Sequence, residues 1–287
     1  MFNKRHIVRT IAATVSILAL SFTAACGSGQ STASNSTDSD DITQQTYKPG
    51  KLPIATGQPA YEPWVMNDKP ESGEGYEAAV AYAVADKLGF KKSDVVWTRT
   101  AFDTAIAPGA KDWDFNIQQF GITDERKKAV DFSSSYYNDS QSVVVKKDSK
   151  FANATKVSDL KDATVGVMVG TLAYDYAKAN IKDDIQTFND DAALAQALDA
   201  GQIDVLVTST VECVYMVQSE QVKDSKVLGR LPDSEDKSGM GIVLPKDSKL
   251  TAAVTKAVDD LNADGTIKKL QDKWLAEYTT DLTELKK

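Results

Sequence analysis

The run from Gly121 to Tyr137, GITDERKKAVDFSSSYY, combines a hydroxyl, an acidic dipeptide and an arginine within one helical turn. Thr123 and Arg126 flank the acidic pair, a pattern that predicts a strand followed by a helix N-terminus. Backbone N–H groups point outward at such an end, where the helix dipole adds partial positive charge. An arginine one turn further can bind a carboxylate through two parallel hydrogen bonds. The same residues could also form an ordinary capped surface helix.

Several kinds of catalytic site are excluded by composition. The single histidine is His6, and beyond Cys26 the only thiol is Cys213. A Ser-His-Asp triad, a Cys-His pair and a zinc site built on histidine therefore cannot form in the folded region, nor can a disulfide. Catalysis by paired carboxylates stays possible, because acidic residues are plentiful. Cys213 lies in the apolar run VECVYMV, so we expect a buried core thiol.

The N-terminal residues have the pattern of a signal peptide. Basic residues precede a mostly apolar stretch at 11–24, which is too short to span a bilayer as a permanent helix. Small residues then precede Cys26 and resemble a lipobox, although Thr23 stands where leucine is usual. We expect cleavage before Cys26 and acylation of its thiol, which would anchor the chain to the membrane. Ordinary cleavage that leaves a free cysteine is the alternative.

A polar segment follows the cysteine. Residues 27–45, GSGQSTASNSTDSDDITQQ, cannot bury enough apolar surface to offset their chain entropy. We assign 26–50 to a lipidated flexible linker and expect the folded region to start near Lys51. The chain has 33 basic and 41 acidic side chains, and residues 1–25 hold three of the basic ones and no acidic one. The remaining formal charge of −11 argues against nucleic acid and anionic lipid as partners.

The folded region alternates short β-rich runs with amphipathic helices, which predicts an α/β fold with mostly parallel sheets. Strands are predicted at 52–56, 95–98, 114–118, 142–146, 164–168, 204–207, 226–228 and 241–244. Helices are predicted at 76–88, 101–107, 171–179, 191–200, 210–219, 249–263 and 266–278. The acidic segment 281–287 is expected to be a solvated tail.

A series of landmarks in order resembles the family 3 solute-binding proteins of ABC transporters, which capture amino acids outside the membrane. The Gly121 run resembles their signature, and NADGTIKKLQDKW at 262–274 resembles their terminal signature. Between or before these lie Tyr61-Glu62-Pro63-Trp64, Gly75-Tyr76-Glu77, Phe102-Asp103 and VGVMVGT at 165–171. The resemblance covers nearly all of residues 51–278.

The resemblance implies a bilobed type II periplasmic-binding-protein-like fold, in which two α/β lobes are joined by a two-segment hinge. Lobe 1 would be residues 51–137 and 241–287, and lobe 2 would be residues 138–240 with a hinge segment at each end. VVVKKDSK at 143–150 is echoed by IVLPKDSK at 242–249. The echo is either a mark of the two chain crossings or a coincidence.

The resemblance also implies roles for individual residues in a cleft between the lobes. Arg126, aided by Thr123, would bind a ligand carboxylate, and Gly170 and Thr171 would donate N–H groups to the same carboxylate.

Aromatic residues would form the walls of this cleft. Tyr61 and Phe102 would sandwich the ligand side chain. Trp64 would either face the ligand or pack under its loop.

Three positions depart from the family pattern. Ser209 stands where most relatives have an aspartate that pairs with the ligand ammonium, and a hydroxyl offers no countercharge. Glu212 or Glu62 could replace it, or the ligand could lack an ammonium. Gln119 and Gly121, which also differ from the family's usual residues, are expected to line the cleft.

The function implied is that of an extracytoplasmic, lipid-anchored substrate-binding component of an ABC importer. It would capture an amino acid or a similar small polar solute by lobe closure and deliver it to the permease, as a monomer without cofactor, metal or catalysis. Two alternatives stay open. One is a dehydratase-like enzyme on the same scaffold, which needs a cleft carboxylate such as Glu77 or Glu212 with a raised pKa. The other is a ligand-sensing surface module that serves no importer.

Overall fold

A computed structural model describes residues 41–279 and 282–287. The predicted signal peptide, Cys26 and most of the predicted linker lie outside the described residues. Within the described ranges, no helix has the length and apolar character needed to cross a membrane.

The described residues alternate strands and helices, which confirms the α/β prediction. The strands are β1 (Leu52–Gly57), β2 (Val95–Thr100), β3 (Phe115–Asn116), β4 (Val130–Tyr137), β5 (Gln141–Lys146), β6 (Val165–Met168), β7 (Gln186–Phe188), β8 (Val205–Ser209), β9 (Ser225–Arg230) and β10 (Met240–Pro245). The helices are α1 (Tyr76–Lys87), α2 (Phe102–Ile106), α3 (Leu172–Asn180), α4 (Asp191–Asp199), α5 (Thr210–Gln218), α6 (Thr251–Ala263) and α7 (Thr266–Trp274).

These strands form two sheets of the same design. The first sheet has the order β2-β1-β3-β10-β4, and the second has the order β7-β6-β8-β5-β9. In each sheet the first three strands are parallel to one another. The fourth strand pairs antiparallel with both of its neighbours, the third and the fifth. Four of the five strands in each sheet therefore run in the same direction and one opposes them, so the sheets are mixed. β5 and β10 each come directly from a strand of the other sheet, without the helical crossover that a parallel neighbour requires.

The chain passes between the sheets at two places. Residues 138–140 lead from β4 to β5, and residues 231–239 lead from β9 back to β10. The two echoed runs begin in β5 and β10, which both hold the fourth place in their sheets. The echo thus marks equivalent strands, each followed by a Lys-Asp-Ser turn.

The helices cover both faces of the sheets. Val143 and Val145 of β5 point into one core, which α3 completes, and Val144 points into another, which α4 and α5 complete. Successive side chains of a strand point to opposite faces, so a strand buried on both faces is a continuous apolar run. Cys213 of α5 is completely buried in the second of these cores, as predicted.

The segment after Thr123 does not form the predicted helix. A three-residue 3-10 turn at Arg126–Lys128 is followed almost at once by β4. Tyr136 and Tyr137 of β4 are buried, and the strand pairs with β10 along its length. The helix prediction is wrong because this burial and pairing outweigh the capping pattern, which stabilises only a single turn.

Both ends of the described chain are more ordered than the sequence suggests. Ile42 packs against the core of the first sheet and Thr46 is buried, so the flexible-linker prediction is wrong for residues 41–50. The solvated-tail prediction is wrong for residues 282–287. They run beside the end of β9, and Leu285 is buried in a core of the second sheet, not the first.

Candidate functional site

A cleft lies where the carboxyl ends of parallel strands from both sheets meet. It encloses about 840 Å³ of space between atoms, including the part that is open to solvent. Residues that follow β1 and β3 line it from the first sheet, and residues at the ends of β6 and β8 line it from the second. Ligands of open α/β sheets bind outside the carboxyl ends of the strands, so this cleft is the candidate site.

Arg126 lines the cleft and contacts the loops of both sheets. Its Nη1 donates to the carbonyl of Gly121 at 2.7 Å, and its Nη2 donates to the carbonyl of Gly170 at 2.8 Å. Burial lowers the pKa of Arg126, while the carboxylates of Asp175 and Asp236 oppose this shift. A guanidinium has five N–H donors. Arg126 can therefore connect the two sides and still bind an anion.

Two hydroxyl groups of the cleft lining cap helices. Thr171 and Ser209 line the cleft, and each accepts a backbone N–H from the first turn of the helix it precedes, α3 or α5. Thr123 does not line the cleft, and its Oγ1 accepts the backbone N–H of Arg126 at 3.1 Å. Gly170 also lies outside the lining, where its carbonyl holds Arg126.

Three aromatic side chains form part of the cleft wall. Phe102 packs on Phe120 with ring centres 4.6 Å apart. The Tyr61 hydroxyl accepts the backbone N–H of Ala192, at the start of α4, at 3.4 Å. Trp64 is completely buried against the rings of Tyr76 and Tyr137 and still contributes to the lining.

Glu77 is the most deeply buried acid of the cleft. It accepts hydrogen bonds from the Gln119 backbone N–H at 2.8 Å, from the Gln119 side-chain amide and from the Tyr136 hydroxyl. Burial raises the pKa of Glu77 to about 7, although these donors act in the opposite direction. Gln119, whose φ is +51°, is thus held against Glu77.

Four further carboxyl groups come from the other side and from the crossing segments. Burial raises the pKa of Asp139 and of Asp191 to about 6, and it raises the pKa of Glu212 well above its usual range. Burial also raises the pKa of Asp236. Glu212 accepts a hydrogen bond from the Trp64 indole N–H, whereas one buried oxygen of Asp191 and one of Asp236 have no partner in the described part of the chain.

The cleft lining therefore holds more acid than the sequence indicates. Glu77 and Glu212 were candidates from the sequence, but Asp139, Asp191 and Asp236 were missed. Asp191 looks like an ordinary acid at the start of a helix, and the other two lie in the crossing segments, where nothing local points to a site. Among the described residues, no group of three or more His, Cys, Asp or Glu is placed to hold a metal ion.

The comparison with known families decides to which family the chain belongs. The family model described as bacterial extracellular solute-binding proteins, family 3, matches residues 54–277. The chain belongs to this family.

Two solved structures and one curated relative are similar to this family 3 protein over most of its length. The L-cystine-binding protein TcyJ of Escherichia coli is 29% identical over 223 residues, which cover 77% of this chain and 81% of TcyJ. A structure of an ancestral arginine-binding protein bound to arginine has 31% identity and a TM-score of 0.67, covering 79% of this chain and 98% of that one. The ancestral amino acid-binding protein AncCDT-1, a precursor of cyclohexadienyl dehydratase, has 30% identity and a TM-score of 0.65, covering 78% of this chain and 95% of that one.

These similarities confirm the bilobed type II periplasmic-binding-protein-like fold for this family 3 protein. The family description also implies an extracytoplasmic location. Of the site residues expected from the sequence, eight line the cleft: Tyr61, Trp64, Phe102, Gln119, Gly121, Arg126, Thr171 and Ser209. Thr123 and Gly170 support Arg126 from outside it, and Glu62 does not line it.

Proposed function

We propose that this chain is the lipid-anchored substrate-binding component of an ABC importer, which captures an amino acid outside the membrane and delivers it to a permease. The charge pattern of the cleft supports this most directly. One guanidinium, that of Arg126, and several carboxyl groups line the same space. An amino acid carries the complementary pair, a carboxylate and an ammonium.

The lobes would follow the two sheets. Residues 51–137 and the chain from 241 through α7 would form lobe 1, and residues 138–240 would form lobe 2 with a hinge segment at each end. The bond from Arg126 to the Gly170 carbonyl joins the two sides of the cleft, as expected for a closed form. Closure would present both lobes to a permease, with the protein acting as a monomer.

The excess of acid favours a ligand with a second cationic group. Five carboxyl groups line the cleft together with the one guanidinium: Glu77, Asp139, Asp191, Glu212 and Asp236. Enclosing this much negative charge costs free energy unless cations or protons compensate it. L-arginine and L-cystine each carry two cationic groups, and they are the ligands in the names of similar proteins.

Thermal unfolding of the purified full-length chain tests the amino-acid assignment. A ligand that binds only the folded protein raises the midpoint of unfolding. We expect at least one of the twenty L-amino acids or L-cystine to raise it, and Arg126→Gln to remove the effect. Lys127→Gln, at an exposed neighbouring position, is the matched control. A panel without any shift would contradict the proposal.

The lipid anchor is tested separately from the ligand. We expect the wild-type chain to be recovered in the membrane fraction of the producing cell and to incorporate labelled palmitate. Cys26→Ala should remove the label and release the mature chain, because a chain without lipid has no comparable membrane affinity. Label that persists in Cys26→Ala would refute anchoring through this residue.

Dehydration in the same cleft is a second candidate, and one observation favours it. The buried carboxyl of Glu77 keeps its proton up to a pH of about 7, because its pKa is raised, and this is a property of general acids. Chromatography of a bound ligand after long incubation decides between the candidates. Recovery of unchanged ligand supports binding alone, and accumulation of a dehydrated product supports the enzyme.

A further inference from the structure

The five cleft carboxyl groups differ in how many hydrogen bonds their oxygens accept from the protein. Glu77 accepts three hydrogen bonds. Asp139 accepts the backbone N–H groups of Ser140 and Val211, at 2.7 and 3.4 Å. Asp236 accepts two backbone N–H groups on Oδ1, and the nearby Arg126 partly opposes the rise in pKa that burial causes.

Asp191 and Glu212 are the two carboxyl groups of this set that accept the fewest hydrogen bonds from the protein. A buried oxygen of Asp191, Oδ1, has no hydrogen-bond partner in residues 41–279 and 282–287. Glu212 is only 5% exposed, and its one hydrogen bond to a side chain comes from the Trp64 indole. Asp191 is the first residue of α4 and Glu212 lies in the first turn of α5, so both belong to the second sheet's side of the cleft.

Among the described residues, no cation is placed to compensate the charge of this pair. The groups that act on its charge are Asp190, Asp139 and Glu77, all acids, together with the two carboxyls themselves. Burial, and to a lesser extent the Glu212 charge, raises the pKa of the Tyr61 and Tyr215 hydroxyls. The Thr208 side chain donates toward Asp191. Arg126 acts on Asp236 instead.

A neighbouring hydroxyl cannot supply the missing charge either. Ser209 also lines the cleft, but its oxygen accepts the Glu212 backbone N–H at 3.3 Å as the cap of α5. Two buried carboxyls without a cation cost free energy when ionised, and each ammonium N–H that reaches them recovers part of this cost.

Resting on the proposed function, we propose that Asp191 and Glu212 together form the binding site for the ammonium group of the ligand, with Asp191 Oδ1 as the acceptor that only the ligand fills. The ligand carboxylate then lies toward Arg126 and its ammonium toward α4 and α5. Asp191 is the residue that makes the cleft select ammonium-bearing ligands over acids of the same shape.

Binding at this pair has a proton signature. Burial raises the pKa of Asp191 to about 6 and also raises that of Glu212, so the empty pair retains protons at a pH where free carboxyl groups have lost them. An ammonium ligand requires the ionised form, so binding releases protons. Affinity therefore rises with pH between about 5 and 7 and falls when the solution is acidified.

The experiment uses the full-length chain and isosteric variants. Asp191→Asn and Glu212→Gln remove one charge each, and Asp190→Asn is the matched control. Asp190 carries the same charge at the adjacent position and caps α4, a role that asparagine retains. Calorimetry measures Kd in phosphate and in Tris at pH 7, because the difference in heat between the buffers counts the protons released. The probes are the amino acid that shifts the midpoint most, its analogue without the α-ammonium, and butane-1,4-diamine.

We expect Asp191→Asn to raise the Kd of the amino acid by about 10- to 100-fold, the range of one charge-assisted hydrogen bond. Proton release should fall in the same variant. The deaminated analogue should bind wild type and Asp191→Asn equally weakly. Asp190→Asn should change the Kd of the amino acid much less than Asp191→Asn does, because Asp190 acts on Asp191 only through its charge. The unfolding midpoint of the empty Asp191→Asn variant should not fall, which separates ligand binding from folding.

The outcomes separate this inference from the proposed function. If the Kd of the amino acid is unchanged in both Asp191→Asn and Glu212→Gln, the proposed ammonium site is wrong. The proposed amino-acid-binding function is then still supported. If only the diamine binds wild type and Asp191→Asn abolishes that binding, the ammonium site is supported and the amino-acid function fails. Absence of binding by every probe overturns both.

Discussion

Glu77 is completely buried, yet it accepts hydrogen bonds from the Gln119 backbone, the Gln119 amide and the Tyr136 hydroxyl. These donors would stabilise the ionised carboxylate, whereas loss of hydration destabilises it. Loss of hydration is the larger effect, so the pKa is raised from 4.5 to about 7. At the residue scale, the cleft therefore contains carboxyl groups whose pKa is raised by burial.

This property makes the stability of the empty protein depend on pH. The unfolded chain releases the Glu77 proton near pH 4.5, and the folded chain holds it until about pH 7. The contribution is therefore fully present below pH 4.5 and is lost as the pH rises through 7. We expect the free energy of unfolding to decrease over this interval by up to about 3 kcal/mol, since one pKa unit corresponds to about 1.4 kcal/mol.

Urea unfolding at pH 5, 6 and 7.5 measures this decrease. Glu77→Gln cannot titrate, so its stability should vary less over the interval. It should also be less stable than wild type at pH 5, because an amide NH₂ faces the donors of Gln119. A wild-type stability that increases from pH 5 to 7.5 would show that Glu77 does not have a raised pKa.

At the scale of elements, regular periodicity was predictable and local competition was not. The long runs of α1 and α6 have amphipathic or small-residue stripes, and both helices were located within two residues of their observed bounds. β4 was missed because the capping pattern at Thr123 lies just before it, and its pairing with β10 involves residues more than 100 positions away. β7 was missed because three residues provide too short a pattern.

The same limit applies to the cleft. Arg126, Tyr61 and Phe102 were located through the family resemblance, which supplies the three-dimensional arrangement that spacing alone lacks. Asp191 could not be found in this way, since its burial depends on the docking of α4 beside α5 and on the loop that carries Tyr61.

The C-terminal segment is an element whose contribution can be measured. Leu285 is 4% exposed and packs in a core of the second sheet, while backbone hydrogen bonds join its segment to Arg230. Leu285→Ala should destabilise the protein by about 2 to 3 kcal/mol, at the lower end of the range for buried leucines.

Chemical unfolding checks this value against a neighbouring control. Glu284 forms an ion pair with Arg230 in which both side chains are about half exposed, so Glu284→Ala should cost less than about 1 kcal/mol. Equal effects of the two substitutions would contradict the packing of Leu285.

At the scale of the whole molecule, the two sheets share one strand order and meet closely at the cleft. Gly121, from the first sheet's side, has the side chain of Leu172 in α3 as its nearest neighbour from the second. A Cβ atom built at Gly121 would lie 2.5 Å from Leu172 Cδ1 and 2.9 Å from an oxygen of Asp236. The absence of a side chain at this position therefore lets the two sides approach each other.

Gly121→Ala should therefore oppose closure without unfolding either lobe. Overpacking of this kind costs about 1 to 3 kcal/mol, and the cost applies only to the closed form. We expect the Kd of the bound amino acid to increase by about 5- to 100-fold. The ligand-saturated radius of gyration from X-ray scattering should stay closer to that of the empty protein than it does in wild type.

Removal of the opposing methyl groups provides the control. Leu172→Ala in the same chain opens the space that the new methyl group needs, so the double variant should recover most of the lost affinity. Leu172→Ala alone should have only a small effect on closure. If Gly121→Ala binds like wild type, the two sides do not approach each other in the ligand-bound state as closely as they do here. If the double variant is no better than Gly121→Ala, the obstacle is Asp236, and the substitution acts on the charge near Arg126 and not on packing.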